Sequence, residues 1–291
     1  MVGTVSADPS GYDGIRGARL AESSAAGVRL ERLELTDAQA VSSFIVRERP
    51  QFWLQHAGYV KDYDTPHYNL VKGNNVNVAA LEGIYRALAA VGAKGIIVTG
   101  SMSEYGELGT ACTESDACWP NTAYGLMKLA ETIRARQLAI QYGIMTRVAR
   151  IFIPFGALDS PAKLLPGTLA ALQEGRPIDL TPCEQQRDFC AIEDIVVGYE
   201  RLVADLHRRD VLFDLFNLCS GVATELKELL VLLADKLGAD SSLLRFSRLP
   251  MRPGETPICF GSNEKAKRLL GWSPGSLDDR LEAYVREMTS L

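Results

Sequence analysis

Six cysteines without a Cys-x-x-Cys spacing and three scattered histidines give this 291-residue chain no metal-ligand pattern. No apolar run reaches the length of a membrane span, and the first residues lack a signal-peptide pattern. A net charge of −5 provides no basic field for nucleic acid or an anionic membrane. Internal repeats and low-complexity tracts are also missing. These absences predict reduced thiols, a cytoplasmic location, no metal, and neither nucleic-acid nor membrane partners. What remains is ordinary for a soluble globular protein, 47% hydrophobic and 23% charged residues, in a length that suits one large domain or two modest ones.

Strand-like and helix-like stretches alternate through the first half. Met1–Val5, Val28–Leu35, Gln51–Gln55, Ile96–Val98 and Thr146–Ile153 read as strands. Ala38–Arg47, Val76–Val91 and Tyr124–Tyr142 read as helices, with Thr36-Asp37 and Asn121-Thr122 as caps. Such alternation predicts an α/β fold, a Rossmann-like parallel sheet with helices on both faces. From Pro154 onward Pro and Gly become frequent, which predicts a smaller C-terminal substrate lobe with Leu226–Leu237 as an amphipathic core helix. The expected division is 1–153, with a returning segment near 189–219, against 154–188 and 220–291.

The chemistry concentrates in Gly100-Ser101-Met102-Ser103-Glu104-Tyr105-Gly106 and Tyr124-Gly125-Leu126-Met127-Lys128. A Tyr and a Lys four apart share one helix face. An ammonium beside a phenol favours the phenolate, so Lys128 is expected to lower the Tyr124 pKa. A Tyr tuned in this way passes a proton to or from an alcohol oxygen, and Ser101 can bond the same oxygen. Alone, Tyr-x-x-x-Lys is also what a solvated helix face carries. Here Lys94–Ser101 reads as a buried strand ending in a turn, which places Ser101 at the sheet edge where open α/β folds bind ligands.

These segments resemble the extended short-chain dehydrogenase/reductase family of nucleotide-sugar epimerases, dehydratases and reductases. Leu33-Glu34-Leu35-Thr36-Asp37 is similar to the family's adenine-side segment. His56-Ala57-Gly58 is similar to the strand end that runs under the cofactor, and Asn74-Asn75-Val76-Asn77 to a helix start where an Asn braces the catalytic Lys. Arg187-Asp188-Phe189 and Arg252-Pro253-Gly254-Glu255 resemble two stretches that grip a nucleotide diphosphate. Asn217–Gly221 and Lys267–Trp272 with Pro274 complete the series. The resemblance implies Ser101, Tyr124 and Lys128 as catalytic residues. It implies Ser6, Glu34, Leu35, His56, Ala57, Gly58, Asn75, Tyr124 and Lys128 at the cofactor, and Ser103, Arg187, Arg252 and Glu255 at a nucleoside-diphosphate sugar. A homodimer through the Val76–Val91 and Tyr124–Tyr142 helices is implied as in relatives.

The chain departs from the family pattern at its front. Gly11-Tyr12-Asp13-Gly14-Ile15-Arg16-Gly17 follows a turn sequence and is read as a decoy, with Met1–Val5 matching the family's second strand. The first strand, Gly-rich loop and helix are then expected to be missing, leaving two open strand edges and weak NAD(P) binding. Met102 and Ser103 stand where family dehydratases carry Asp-Glu, which argues against dehydration. Val5 and Ser6 replace the acidic residue of NAD-preferring relatives, which leans toward NADP. The leading expectation is NADPH-dependent reduction of a 4-keto sugar nucleotide. Its alternatives are an NAD-dependent 4-epimerase and a non-catalytic Rossmann-like remnant that binds sugar nucleotides. Cys112 and Cys118 flank one loop and are expected to be ordinary thiols or, alternatively, a redox switch; Trp119 is read as packing or a lid contact.

Overall fold

The computed structural model describes residues 1–251 and 255–290. The chain divides into two compact units. Unit 1 comprises 1–106, 118–149 and 202–215, and unit 2 comprises 107–117, 150–201 and 216–291. Against the expected division, 107–117 groups with unit 2 and the returning segment of unit 1 is 202–215.

Unit 1 opens with β1 (Val2–Val5), α1 (Gly14–Ala25), β2 (Arg29–Arg32), α2 (Ala38–Glu48) and β3 (Phe52–Gln55). It continues with α3 (Leu70–Gly73), a π-helical turn over Asn74–Ala79, α4 (Ala80–Ala90), β4 (Gly95–Ser101), α5 (Ala123–Tyr142) and β5 (Met145–Ile151, whose last two residues group with unit 2). β1 and β2 pair in parallel, with Val2 opposite Arg29 and Val5 opposite Arg32. A separate four-stranded sheet has the order Phe213–Leu218, β5, β4, β3, and β3 pairs β4 in parallel from Phe52–Gly95 to Gln55–Val98. Among the described residues, β1, β2, β3 and Phe213–Leu218 each pair on one side only.

Every residue of β4 is buried, which is why its apolar run Ile96-Ile97-Val98 shows no alternation. Ile45 from α2, Leu81, Ile84 and Leu88 from α4, and Leu138 from α5 pack with Ile96, Val98 and Val148. Each such aliphatic side chain contributes roughly 1.5–3 kcal/mol of burial. Asp37 caps α2 by accepting from Gln39 N at 3.1 Å and Ala40 N at 2.9 Å. Thr122 caps α5 through Gly125 N at 3.0 Å.

The front of the chain adds a helix that the strand-and-helix pattern left unassigned. The Gly11–Gly17 run leads into a 12-residue helix, α1, none of whose residues is buried. A 3-10 turn at Pro9–Gly11, capped by Asp8, stands between β1 and that helix. Gly17 is required by packing, since a Cβ there would lie 2.7 Å from the Tyr12 carbonyl oxygen.

Unit 2 buries Leu169, Leu229, Leu230, Leu233, Leu281 and Tyr284, with the helix Leu226–Leu237 placed as its pattern predicts. Its polar node is Asp188, wholly buried. The carboxylate accepts from Ser220 N and Ser220 Oγ at 2.7 Å each, Gly221 N at 3.0 Å and Gly261 N at 3.2 Å. Burial raises the Asp188 pKa, against the opposing pull of these hydrogen bonds. All six cysteines are free. Cys118 belongs to unit 1, while Cys112 lies in unit 2 with its thiol hydrogen-bonded to that of Cys259, so the sequence neighbours are not the structural pair. No described helix is long and apolar enough to cross a membrane.

Candidate active site

β4 delivers Ser101 in extended conformation and then turns at once. Ser101 caps the 3-10 turn Met102–Glu104: its Oγ accepts from Ser103 N at 3.2 Å, and Glu104 Oε1 accepts from Ser101 N at 2.8 Å. This reciprocal capping box fixes both the backbone and the hydroxyl of Ser101. Gly106 leaves the turn at φ 75°, and a Cβ there would meet the Trp119 carbonyl oxygen at 1.9 Å. Gly125 leaves no room either, its Cβ position lying 2.3 Å from Ser103 O. The two glycines let the Ser101 turn and the first turn of α5 approach closely.

That approach brings the expected trio together. The Ser101 side chain hydrogen-bonds the Tyr124 hydroxyl. Lys128, one helical turn on, is buried, and its Nζ donates to Thr99 O at 2.6 Å. The same Nζ pairs with Glu131 Oε2 at 2.5 Å, with 8% and 2% of the two side chains exposed. Glu104 and Glu131 thus place two buried carboxylates around one ammonium. The Tyr124 ring also makes edge contacts with Tyr63 at 5.5 Å and Tyr68 at 5.9 Å between centroids.

The electrostatics correct the sequence expectation for Tyr124. Its pKa is raised, first by desolvation and then by Glu131 and Glu104, which together outweigh the pull of Lys128 and the Ser101 hydrogen bond. Lys128 stays charged: burial works against it, but Glu131 and Tyr124 more than compensate. Burial pushes Glu131 up to about 7 in spite of the ammonium beside it. The reversal at Tyr124 comes first from its desolvation, with Glu131 offsetting part of the Lys128 pull.

The other expected residues divide. His56 Nδ1 lies 3.0 Å from Thr99 Oγ1 at the end of β3, and desolvation, then the Lys128 charge, hold its pKa below the ordinary value although part of the residue is exposed. Gly58 rests against the Asn77 side chain, which a Cβ would meet at 3.3 Å, and Ala57 is exposed beside it. Asn75 is exposed on the π-helical turn. Asn77 on the same turn is fully buried, its Oδ1 accepts from Tyr59 N at 2.7 Å, and its Nδ2 has no partner among the described residues.

Leu35 is buried in the apolar core, Glu34 is exposed with Oε1 accepting from Thr36, and Ser6 is exposed with its hydroxyl 3.4 Å from Tyr12 OH. Trp119 is 78% exposed and so is not a packing residue. In unit 2, Arg187 NH2 pairs with Glu255 Oε1 at 2.7 Å and its NH1 donates to Gln186 O at 2.8 Å. Arg187 does not pair with its neighbour Asp188, and Arg252 lies outside the described residues.

Sequence reasoning missed Glu104, Glu131 and Asn77. The signal for Glu131 was its spacing: Lys128, Glu131, Thr132, Ala135, Leu138 and Ala139 occupy one buried stripe of α5. Glu104 closes a Ser-x-x-Glu capping pattern.

A profile of the NAD dependent epimerase/dehydratase family matches residues 6–216, and the chain belongs to that family. The chain is 27% identical over 227 residues to the dTDP-4-dehydro-6-deoxyglucose reductase of Escherichia coli, covering 74% of this chain and 69% of that protein. It is 26% identical over 210 residues to the GDP-6-deoxy-D-mannose reductase of Pseudomonas aeruginosa, covering 68% and 67%. The fold is that of the UDP-glucose 4-epimerase of Thermotoga maritima solved with UDP-glucose, at TM-score 0.81 and 18% identity over 99% of this chain and 98% of that one. The dTDP-glucose 4,6-dehydratase of Streptomyces venezuelae, solved with NAD bound, matches at TM-score 0.82 and 22% identity over 99% and 87%.

Proposed function

We propose that the chain reduces a 4-keto sugar nucleotide by a Ser/Tyr/Lys mechanism, with NADPH as the reductant. The observation that carries this reading is the gathering of buried Ser101 and Lys128 with half-buried Tyr124, with Met102 and Ser103 following Ser101 where a dehydratase needs acids. The reductases of Escherichia coli and Pseudomonas aeruginosa among the relatives support the direction.

When bound, the nicotinamide supplies the hydride. The chain's own residues align the carbonyl and supply the proton. With a ketone bound, the Ser101 hydroxyl turns from the Tyr124 phenol to the carbonyl oxygen, and Tyr124 gives its proton to that oxygen as charge develops there. Lys128 keeps one ammonium proton beyond those engaged by Glu131 and Thr99 O, which suits a ribose hydroxyl. The unpartnered Asn77 Nδ2 beside Gly58 suits the same end of a dinucleotide.

At the pyrophosphate end the residues fit poorly, because the Gly11–Gly17 run is set apart from β1 by the 3-10 turn. Weak dinucleotide affinity follows. Ser6, with no acid at the end of β1, favours NADPH over NADH. Arg187 offers a planar fork for the diphosphate, and Glu255 occupies it in the free chain. A second copy is proposed to seat on α5, where Leu126, Ile133 and Ile140 lie seven apart and are 47%, 61% and 60% exposed.

Incubation of the chain with NADPH and a panel of 4-keto sugar nucleotides tests the reading. Loss of NADPH absorbance with formation of a reduced sugar nucleotide is expected. Interconversion of hexose epimers with no net loss of NADPH would replace it by an epimerase.

A further inference from the structure

The reductive reading leaves two buried carboxylates unexplained. Glu104 is fully buried and Glu131 is 1% exposed, an environment in which an ionised carboxylate is retained only when paired. Glu104 meets the backbone N–H of Ser101 at 2.8 Å, and Glu131 meets the Lys128 ammonium at 2.5 Å. Each therefore holds one member of the trio, and neither needs to touch a substrate. We propose that Glu131, seconded by Glu104, is a positioning residue that holds the Lys128 ammonium and keeps Tyr124 as the neutral phenol, so that the resting site gives a proton to a carbonyl oxygen rather than taking one from a carbinol.

The argument is one of local charge. Lys128 alone beside Tyr124 stabilises the phenolate, the form that begins an oxidation. Glu131 draws the ammonium into a short ion pair and offsets part of its field at the phenol, Glu104 adds to that offset, and desolvation of Tyr124 acts in the same direction. Once Glu131 is ionised, above about pH 7, its charge opposes the phenolate, and Glu104 acts in the same sense. The other titratable groups facing this set do not reverse the balance. The pKa of His56, just after β3, is held below its ordinary value by desolvation and the Lys128 charge, Tyr68 on the loop before α3 is pushed up to about 12 by burial, and burial raises Tyr85 on α4. Tyr63 contributes a ring edge. The consequence is directional: a site poised in this way suits a ketone substrate that arrives oxidised and leaves as an alcohol.

The inference rests on Tyr124 being the proton donor, yet it is tested without substrate. Tyrosines labelled at Cζ report phenol and phenolate separately by NMR, and the Tyr124 signal is the one missing from Tyr124→Phe. In the parent its midpoint is expected above that of tyrosine in an unfolded chain. Glu131→Gln is expected to lower it by about one pH unit or more, the scale of one neighbouring charge. Glu131→Asp, which keeps the charge, is expected to stay near the parent. Glu104→Gln keeps an acceptor oxygen for Ser101 N and is expected to move the midpoint the same way, so it carries the test if the Glu131 variant does not fold. An unchanged or raised midpoint in the Gln variants overturns the role, whatever the chain reduces. A lowered midpoint in a chain that reduces no keto sugar supports the role and overturns the catalytic reading instead.

Discussion

Among the buried carboxylates, Asp188 of unit 2 and Glu131 of unit 1 are held differently. Asp188 in unit 2 takes hydrogen bonds from three backbone N–H groups and one hydroxyl, all neutral, drawn from two separate loops. Glu131 in unit 1 takes an ammonium, and its neighbours are the tyrosine and serine of the proposed chemistry. The first arrangement satisfies a charge with fixed dipoles and stitches loops together. The second leaves charges coupled, so that a change in one alters the protonation of the next. A buried acid is thus a structural node or an electrostatic control according to what faces it.

The largest effect expected from breaking this contrast is at the proton donor. Tyr124→Phe should lower kcat by roughly 10²–10⁴, the scale of losing a general acid, while sugar-nucleotide affinity measured by calorimetry stays nearly intact. A Phe variant within a few-fold of the parent would remove Tyr124 from the chemistry. Asp188→Ala comes next and should act on stability alone. It orphans the donors of Ser220, Gly221 and Gly261, at a cost upwards of about 3 kcal/mol in urea unfolding. The Tyr124 titration should not move in that variant, and a shift would show that the two regions are coupled. Arg187→Ala should raise KM for the sugar nucleotide by on the order of 1.5–3 kcal/mol with little change in kcat. Equal binding of free sugar and sugar nucleotide to the parent would rule out a diphosphate clamp.

The pH dependence of the reduction sharpens the comparison further. The folded-state pKa of Tyr124 is raised, so the donor form persists above the pH at which free tyrosine ionises, and the rate should fall only as pH passes the raised value. In Glu131→Gln that alkaline limb should move to lower pH by about one unit. An acid limb that moved instead would mean that Glu131 itself delivers the proton.

The sequence carried much of this arrangement. The run Ile96-Ile97-Val98 and the Thr122 cap located β4 and α5, and with them Ser101, Tyr124 and Lys128. Other features left weaker traces. α1 contains two glycines and buries none of its residues, so its pattern did not tie it to a core. The π-helical turn has the same apolar spacing as the helix it precedes, and the register that buries Asn77 rather than Asn75 depends on that turn. The pairing of Arg187 with Glu255 joins segments 68 residues apart and left no local trace.

The most direct test of reduction by a Tyr124 donor follows the hydride and the proton together. NADPH deuterated at the transferred position is incubated with the chain and a 4-keto sugar nucleotide, and the product is examined by mass and NMR. The account predicts deuterium on the former carbonyl carbon with one NADPH oxidised per sugar, in the parent but not in Tyr124→Phe. Reduction that survives in Tyr124→Phe, or a product without deuterium and without loss of NADPH, would contradict it.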